Sequence, residues 1–319
     1  MAPIMGYTTR LFRKLYQAHF GGFDIAVAPF IVAVGDQKIH PKHLRDVIPE
    51  NGKNFQLIPQ ILSNDPAGFV RLAKELYAMG YGTVNWNLGC PFPMVAKKKR
   101  GSGLLPFPDH VQAILDYVTP RIPNRLSIKT RLGRKSCDEI ISLLPIFNQY
   151  PLTELIVHPR TGIQMYEGKV DLEMFSRCID LSGHPLVYNG DIVTYSDFKI
   201  LANRFPMIDR WMIGRGAIMD PFLVLMIRDG EGASKRYDRI NRFKTFHDAL
   251  MTELALTLNG PGHLLDRMKG YWSFFHTSFR TGARLFKKIK KINHINAFKG
   301  EVDSFFEKEA EWRFHDTPS

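Results

Sequence analysis

The side chains in this sequence that can transfer protons or bind anions follow the ends of short apolar segments. Cys90 stands between Gly89 and Pro91, directly after the apolar segment 83–87. Lys129 lies within another apolar segment, where its ammonium group is costly to bury unless a ligand phosphate or a carbonyl accepts it. A thiol can deliver a proton and a nearby cation can hold a negative charge. We therefore expect an active site that contains Cys90 and Lys129.

Further polar residues end the next apolar segments in the same way. They are His158 with Arg160, Asn189 with Asp191, and Arg215. Polar residues at one segment end could occur by chance, but their presence at five consecutive segment ends indicates that they line an active site. Cys90 and His158 each have a purely structural alternative. Most cysteines are small buried residues, and a histidine is often a core residue whose ring nitrogens are hydrogen-bonded within the protein. The position of Cys90 between Gly and Pro favours a thiol held at the mouth of the site.

The elements that must position these residues alternate over the first 228 residues. The predicted strands are 2–4, 24–28, 55–60, 83–87, 126–130, 154–158, 185–189 and 210–213. Most are rich in Val, Ile or Leu and stop at Gly, Pro or polar residues, as strands buried on both faces do. Helices are predicted at 65–79, 109–118, 138–149 and 196–202, with Asp65 and Ser196 as N-caps. This alternation predicts an α/β fold, a (β/α)₈ TIM barrel. No GxGxxG follows an early strand, which argues against a dinucleotide-binding sheet.

The pattern changes after the segment 229–232 (DGEG). From residue 236 to 312 only helical stretches follow, with breaks at 259–262, 281–282 and 300. We predict a small all-α domain, 233–319, that follows a barrel domain, 1–232. Core packing of a helical bundle explains the aromatic residues of this domain at least as well as stacking on nucleobases does.

The charge balance indicates a polyanionic partner. The chain has 43 Lys and Arg against 31 Asp and Glu, a net charge of +12 and a pI near 9.6. Such a surface favours polyanions, although a merely soluble basic protein is the alternative. Nine basic residues and no acidic one lie between 267 and 299, and helical spacing places 280, 284, 287, 288 and 291 on one face. A second basic run, 97–100, follows Cys90 closely.

The composition excludes several other classes of protein. Hydrophobic residues make up 45% and charged residues 23%, so disorder is excluded over most of the chain. No apolar run approaches the roughly 18 residues of a membrane span, and residues 1–14 lack the pattern of a secretory signal. Three cysteines cannot form a disulfide framework and favour a reducing cytoplasm. Cys137 and Cys178 lie in helical patterns, and we interpret both as structural.

Seven segments occur in the order found in one enzyme family. They are residues 2–8 (APIMGYT), 85–91 (NWNLGCP), 97–105 (KKKRGSGLL), 129–133 (KTRLG), 158–161 (HPRT), 189–192 (NGDI) and 213–216 (IGRG). Together they resemble the tRNA-dihydrouridine synthase family over nearly the whole predicted barrel. The tail segment 267–272 (RMKGYW) resembles that family's RNA-binding domain. Such barrels usually have several residues before Ala-Pro, whereas Met1 precedes Ala2 directly, so we expect either a short first strand or an unusually open N-terminal rim.

The resemblance implies FMN as cofactor. Its phosphate is expected at Gly190, Asp191, Gly214 and Arg215, in the loops after strands seven and eight where such barrels bind phosphate. Lys129 and His158 are expected to face the isoalloxazine, where a positive charge stabilises the reduced, anionic flavin. The other residues assigned to the cofactor are Pro3, Ile4, Met5, Gln60 and Asn189.

The resemblance also implies the reaction, which is reduction of the C5–C6 double bond of specific D-loop uridines in tRNA, with NADPH as reductant. Flavin N5 is expected to give a hydride to C6, and Cys90 a proton to C5. The uridine must be extruded from folded tRNA to reach the site. The residues expected to contact tRNA are Asn87, Lys97, Lys98, Lys99, Arg100, Arg267, Lys269, Arg280, Arg284, Lys287 and Lys291. We expect a cytoplasmic monomer that binds no metal and no membrane.

Two other functions remain open at this stage. One is an FMN-dependent barrel oxidoreductase that acts on a small dihydropyrimidine-type substrate, which would need no basic helical tail. The other is a catalytically idle tRNA-binding homologue. The intact set of Cys90, Lys129, His158 and Arg215 argues against an idle protein.

Overall fold

The computed structural model describes residues 1–33, 35, 40–49 and 56–313. Its strands are β1 (Ile25–Val27), β2 (Ile31–Val32), β3 (Gln56–Ile58), β4 (Gln60–Leu62), β5 (Thr83–Leu88), β6 (Arg125–Gly133), β7 (Leu152–Thr161), β8 (Leu186–Tyr188) and β9 (Arg210–Trp211). Its helices up to residue 229 are α1 (Arg10–His19), α2 (Pro41–Leu44), α3 (Pro66–Ala78), α4 (Pro93–Ala96), α5 (Pro108–Val118), α6 (Glu139–Phe147), α7 (Leu172–Leu181), α8 (Tyr195–Arg204), α9 (Arg215–Met219) and α10 (Leu223–Asp229). The later helices are α11 (Arg239–Thr257), α12 (Pro261–Phe275), α13 (Gly282–Ile289) and α14 (Ile295–Lys308).

The strands form a parallel sheet that follows chain order. A seven-stranded sheet has the order β2-β4-β5-β6-β7-β8-β9, and β1 pairs with β3. At the start of the chain, the amino group of Met1 donates to the Ile25 carbonyl at 2.5 Å, and the Val27 N–H donates to the Met1 carbonyl at 3.0 Å. One apolar cluster contains both Ala2 and Met212, which follows the last strand. The sheet therefore closes on itself, which confirms the (β/α)₈ barrel.

The predicted strands differ from the observed ones at four places. The predicted strand 2–4 is wrong, since these residues adopt no strand conformation. The predicted strand 55–60 is two strands, β3 and β4, which are divided at Pro59 because proline has no N–H for the ladder; Phe55 lies outside the described residues. Strand β2 was not predicted, and the last strand ends at Trp211 rather than at residue 213.

Local capping explains where two of the barrel helices begin. The Asp65 carboxylate accepts a hydrogen bond from the Ala67 N–H at 3.2 Å, which confirms Asp65 as the N-cap of α3. Ser196 is wrong as an N-cap, because α8 begins before it. There the Thr194 hydroxyl accepts from the Asp197 N–H at 3.0 Å, and the Asp197 carboxylate accepts from the Thr194 N–H at 2.8 Å. This reciprocal pair is a capping box.

The chain divides into two compact units. The first comprises Met1–Gly6, Asp24–Asp191 and Ala202–Met212, and the second comprises Tyr7–Phe23, Ile192–Leu201 and Ile213–Ser319. Helix α1 and residues 213–232 thus belong to the unit that holds the helical tail. The two domains 1–232 and 233–319 stay a prediction.

The tail beyond residue 238 is mainly helical, as predicted, but its helices are separated at 258–260, 276–281 and 290–294, so the predicted breaks at 259–262 and 281–282 overlap the first two only in part. The predicted break at Gly300 is wrong, because α14 continues through it. One glycine within a helix costs only about 1 kcal/mol relative to alanine. The burial of Phe298, Val302 and Phe305 on the same helix outweighs that cost.

The aromatic residues of the second unit form its core. Tyr271, Trp272 and Phe275 on α12 are fully buried, and the Phe12 ring of α1 stacks on Tyr271 with centroids 5.5 Å apart. Phe243 meets Phe275 edge to face at 5.0 Å. Core packing therefore accounts for these rings, and they are not available for base stacking. Within the part of the chain described, no helix has both the length and the apolar character that crossing a bilayer requires.

Candidate active site

A polar layer lies inside the barrel of the first unit, next to the apolar cluster that closes it. Side chains two residues apart on a strand share a face. Ile58, Ile156 and Val187 belong to the apolar cluster. The residues two positions further along the chain are Gln60, His158 and Asn189. The pairing register places Asn87 beside Lys129 and Arg131 beside His158. The predicted residues Gln60, Asn87, Lys129, His158 and Asn189 thus share the inner face at the carboxyl ends of the strands.

Buried amides connect this layer. The Gln60 Nε2 donates to Asn85 Oδ1 at 2.8 Å, and the Asn87 Nδ2 donates to Gln60 Oε1 at 2.8 Å. Asn85 in turn donates to the Ser127 hydroxyl at 2.8 Å. All four side chains are buried. Because each carbonyl oxygen or hydroxyl accepts within the network, the orientation of every amide is set before any ligand binds.

The same network fixes the backbone that carries Cys90. Asn87 Oδ1 accepts from the backbone N–H groups of Gly89 at 3.0 Å and Cys90 at 2.8 Å. From the other side, the Ser102 N–H and hydroxyl donate to the Cys90 carbonyl at 3.0 and 2.9 Å. Gly101, with φ +54°, approaches so closely that a Cβ there would lie 2.7 Å from Cys90 Cβ. Asn87 was predicted to contact tRNA, and the structure gives it this positioning contact.

The Cys90 thiol is buried and lies among cations. Burial raises its pKa, while the Phe92 backbone N–H that bonds to the sulfur, together with the charges of Arg131, Lys129 and Arg134, counteracts part of that rise. The thiol is therefore protonated at neutral pH. After it gives up a proton, the same three cations stabilise the thiolate. Cys137 and Cys178 are also free, and burial raises the pKa of Cys178 to about 12.

Two cations, the half-buried Lys129 and the buried Arg131, dominate the electrostatics of the layer. Burial lowers the pKa of Lys129 to about 7, with a further lowering by the charge of Arg131. Burial also lowers the pKa of Arg131 to about 10. Arg131 Nε donates to the Gly89 carbonyl at 3.0 Å and Nη1 to the Thr161 carbonyl at 2.8 Å. Two adjacent cations whose charged forms are disfavoured form a site for an anionic ligand.

A third cation, Arg160, organises the end of β7. Its guanidinium forms a bidentate ion pair with Asp191, at 2.9 and 2.5 Å, and Nη1 lies 3.2 Å from His158 Nε2. Asp191 has φ +42°, in the left-handed region. We expected Asp191 at the cofactor phosphate. The structure gives its carboxylate the Arg160 partner, and contact with the cofactor stays a prediction.

The remaining residues assigned to the cofactor are distributed over both units. Asn189 Nδ2 donates to the Met212 carbonyl at 2.7 Å. Gly190 is needed for close packing, since a Cβ there would lie 3.0 Å from Val170 Cγ1. Pro3 and Ile4 are half-buried in the first unit, and Met5 is exposed. Gly214 and Arg215, at the start of α9, belong to the second unit. Their contact with the cofactor stays a prediction.

The basic run 97–100 follows α4 in the first unit. Lys97, Lys98 and Lys99 are exposed, and the Lys99 ammonium lies 4.3 Å from the centre of the Phe107 ring. Arg100 Nε donates to Asn64 Oδ1 at 2.9 Å. The three lysine charges are thus free to reach solvent or a ligand, while Arg100 anchors the loop.

The basic tail departs from its prediction in two respects. Arg280 precedes α13 and forms an ion pair with Glu311 at 3.1 Å, and Lys288 pairs with Glu301 at 2.7 Å. The expectation of a single helical face without neutralising acids is therefore wrong. The acids that pair with these side chains lie beyond residue 299, outside the segment 267–299 in which we found no acidic residue. The other predicted contacts are placed as follows: Arg284 and Lys287 exposed on α13, Lys291 exposed just after it, and Arg267 and Lys269 half-buried on α12.

Sequence reasoning missed three residues of the site. Arg131 and Arg160 were quoted in motifs but given no role, and Tyr166 was not singled out. The Tyr166 ring lies 5.3 Å from the Arg131 guanidinium and 6.3 Å from the His158 ring. A signal for the two arginines was present, because each lies within or ends an apolar strand segment, where an unpaired charge is costly. Tyr166 lies in a loop and carries no such signal.

Comparisons with known proteins identify the family of this chain. A family model described as "Dihydrouridine synthase (Dus)" matches residues 1–310. A tRNA-dihydrouridine(16) synthase from Neisseria meningitidis serogroup B is 27% identical over 320 residues, which cover 96% of this chain and 93% of that protein. Another from Ralstonia nicotianae is 28% identical over 236 residues, which cover 72% of each chain.

Among solved structures, histamine dehydrogenase from Rhizobium sp. 4-9 shares the fold. Its TM-score is 0.53 at 11% identity, over 76% of this chain and 46% of that one. The chain thus spans about half the length of that enzyme, and the likeness bears on the fold alone. Because the family model matches residues 1–310, the chain belongs to the dihydrouridine synthase family, whose members are flavin-dependent oxidoreductases.

Proposed function

We propose that this protein reduces uridine to dihydrouridine in tRNA, with FMN as its flavin and NADPH as the source of electrons. The observation that carries the proposal is the protonated Cys90 thiol held by Asn87 beside the cations Lys129 and Arg131. A thiol that is protonated at neutral pH is suited to give a proton to a carbon that becomes basic during reduction. The named activity of the relatives supports the same assignment.

The residues of the polar layer fit a flavin. Among the described residues, the charged groups that act on Lys129 are Arg131 and Cys90, and neither is a carboxylate that could offset its charge. The N1–C2=O edge of a reduced flavin is anionic and would supply the missing counter-charge. Bound FMN would supply a hydride at N5. The residues proposed to hold it are Lys129, His158, Gln60, Asn189, Gly190, Asp191, Gly214, Arg215 and the segment Pro3, Ile4 and Met5.

The protein side of the reaction is proton delivery and charge control. Cys90 gives its proton to C5 of the uracil as C6 receives the hydride, which saturates the double bond. The thiolate that results lies near Lys129, Arg131 and Arg134, whose charges lower the free energy of the deprotonated state. Asn87 keeps the Cys90 backbone in place during the step, because it bonds to both N–H groups of that turn.

The substrate is proposed to be tRNA, for two reasons. The chain carries a net charge of +12, and exposed lysines follow Cys90 by seven to nine residues. Phosphate contacts of this kind supply most of the sequence-independent affinity for RNA. Because the relatives are named for position 16, uridine 16 of the D loop is the first position to examine. A tRNA substrate and three free cysteines suit a cytoplasmic protein, which we propose to act as a monomer.

The direct test is dihydrouridine formation by the wild-type protein and by Cys90→Ala. Purified protein, FMN, NADPH and tRNA that lacks dihydrouridine are incubated, and the product is mapped by mass spectrometry. We expect dihydrouridine at one D-loop position with wild type. We expect the rate to fall about 10²- to 10⁴-fold with Cys90→Ala, the contribution of a positioned general acid.

Cys137→Ala is the matched control, since Cys137 is also free but lies near the carboxylates of Asp171, Asp138 and Glu139 rather than among cations. It should retain the wild-type rate. Wild-type protein that reduces free dihydropyrimidine precursors and not tRNA would support the small-molecule alternative. Protein that binds tRNA but takes up no flavin and forms no dihydrouridine would support the idle alternative.

A further inference from the structure

Two large apolar side chains stand exposed directly beside Cys90. Phe92 is 50% exposed and Met94 is 80% exposed, whereas Cys90 and Pro91 just before them are buried. Single exposed apolar residues are common on protein surfaces. Here two of them lie two and four residues after the proposed proton donor, on one short loop, and the site described above does not use them.

The backbone that carries the pair is held rigidly. The Phe92 carbonyl accepts from the Val95 and Ala96 N–H groups at 3.0 and 2.9 Å. On the other side, Arg134 Nη1 donates to the Pro91 carbonyl at 2.9 Å. Proline at 91 and 93 further limits the conformations of the loop. The two side chains are therefore presented outward by a preorganised backbone, which lowers the entropy cost of binding a partner.

The charge beside the pair identifies the kind of partner. Lys97, Lys98 and Lys99 follow Met94 within five residues, and all three are exposed. An apolar, aromatic surface next to closely spaced cations is complementary to single-stranded nucleic acid, whose bases stack and whose phosphates pair with lysine.

We propose that Phe92 and Met94 form a base-contacting surface that binds the unpaired nucleobases next to the target uridine, while Lys97–Lys99 bind their phosphates. The inference rests on the proposed function and adds to it, because it assigns recognition of the flanking bases to residues that only this loop supplies. A flipped uridine leaves its neighbours unstacked. Phe92 and Met94 replace part of that stacking and stabilise the open loop.

The salt dependence of binding separates the two roles. Contact with bases releases no counterions, so Phe92→Ala weakens tRNA binding without changing the slope of log Kd against log salt. Removal of base–aromatic stacking corresponds to a weakening of about 5- to 150-fold. By contrast, Lys97→Glu with Lys98→Glu lowers that slope by roughly 0.7 to 0.9 for each phosphate that the variant no longer neutralises.

The experiment measures tRNA affinity at several salt concentrations for the flavin-loaded wild type and for six variants: Phe92→Ala, Phe92→Tyr, Met94→Ala, Tyr77→Ala, Met207→Ala and the double variant Lys97→Glu with Lys98→Glu. Phe92→Tyr keeps an aromatic face and should bind as wild type does, which separates stacking from folding defects. Tyr77 and Met207 are 50% and 62% exposed and precede β5 and β9, at the opposite end of the strands from Cys90. Their alanine variants should bind tRNA as wild type does.

Three results overturn the inference. The first is unchanged affinity in both Phe92→Ala and Met94→Ala. The second is a weakening that Phe92→Tyr shares with Phe92→Ala, or that the two distal controls share. The third is a wild-type dimer in sedimentation that Phe92→Ala converts to monomer, since the surface would then bind a second copy of this chain. If wild type forms dihydrouridine in each case, the proposed function stands while this inference fails.

Discussion

Replacing Lys129 by methionine should stabilise the flavin-free protein at neutral and acidic pH. Burial lowers the pKa of Lys129 from 10.5 to about 7. Each pKa unit corresponds to about 1.4 kcal/mol, so the charged lysine costs the folded state at most about 5 kcal/mol. Methionine preserves the aliphatic length without the charge. Below about pH 7 Lys129 is protonated in both the folded and the unfolded chain, and this cost is fully present.

The sign of the pH dependence follows from proton binding. Between about pH 7 and pH 10.5 the unfolded chain binds more protons at Lys129 than the folded chain does, so the free energy of unfolding of wild type rises with pH. Lys129→Met lacks this titration. The advantage of the variant should therefore be largest below pH 7 and fall toward zero near pH 10.

Urea unfolding of both flavin-free proteins from pH 6 to pH 10 measures this difference. Taking the difference between the two proteins removes the contribution of all groups that they share. Lys135→Met is the control, because Lys135 is exposed and its charge is hydrated in the folded state as well. Unfolding free energies of wild type and Lys129→Met that stay parallel across this range would refute the reasoning. The same variant should bind FMN more weakly, since the cation that compensates the reduced flavin is gone.

Two further predictions concern charges elsewhere in the chain. The triple variant Arg284→Glu, Lys287→Glu and Lys291→Glu should weaken tRNA binding and lower the slope of log Kd against log salt by about two to three. Arg280→Glu should change this slope little, because Glu311 already pairs with Arg280. An unchanged slope in the triple variant would make the tail structural. Asp191→Asn should lower the free energy of unfolding by about 1–3 kcal/mol, less than for a fully buried pair because Asp191 is 37% exposed. Asparagine tolerates φ +42°, so thermal unfolding of this variant reports the missing charge and not backbone strain. The control is Glu173→Gln in the exposed ion pair with Arg204, which should lower the free energy of unfolding by less than about 1 kcal/mol.

The alternation of apolar segments and helices predicted the fold because buried parallel strands leave a direct mark on sequence. Six of the eight predicted strands coincide with one observed strand to within a few residues at each end. The segment 55–60 failed because the sheet changes partner at Pro59, which depends on strand pairing and not on local composition. Ser196 failed for a similar reason, since the choice between neighbouring capping residues depends on which side chains reach the backbone.

Sequence patterns could select some residues of the polar layer but not the contacts between them. Cys90, Lys129 and His158 could be selected because each is a polar or reactive residue at the end of an apolar segment. The roles of Asn87 and Asp191 could not, because an amide or a carboxylate at a strand end suits a ligand and a protein partner equally well. Only the geometry shows that Asn87 holds the Cys90 turn and that Asp191 pairs with Arg160. The pairing of Arg280 with Glu311 likewise joins residues that no local pattern relates.

These connections explain how a reactive thiol is held without side chains of its own loop. The position of Cys90 is set by Asn87, whose amide is fixed by Gln60, and Asn87 lies beside Lys129 in the strand register. The proposed proton donor and the cation proposed to face the flavin are therefore placed by the same pair of adjacent strands. Since a strand pair in a closed barrel shifts little, the sheet determines the distance between the two groups. The exposed side chains of Phe92 and Met94 remain available for the proposed contact with the substrate.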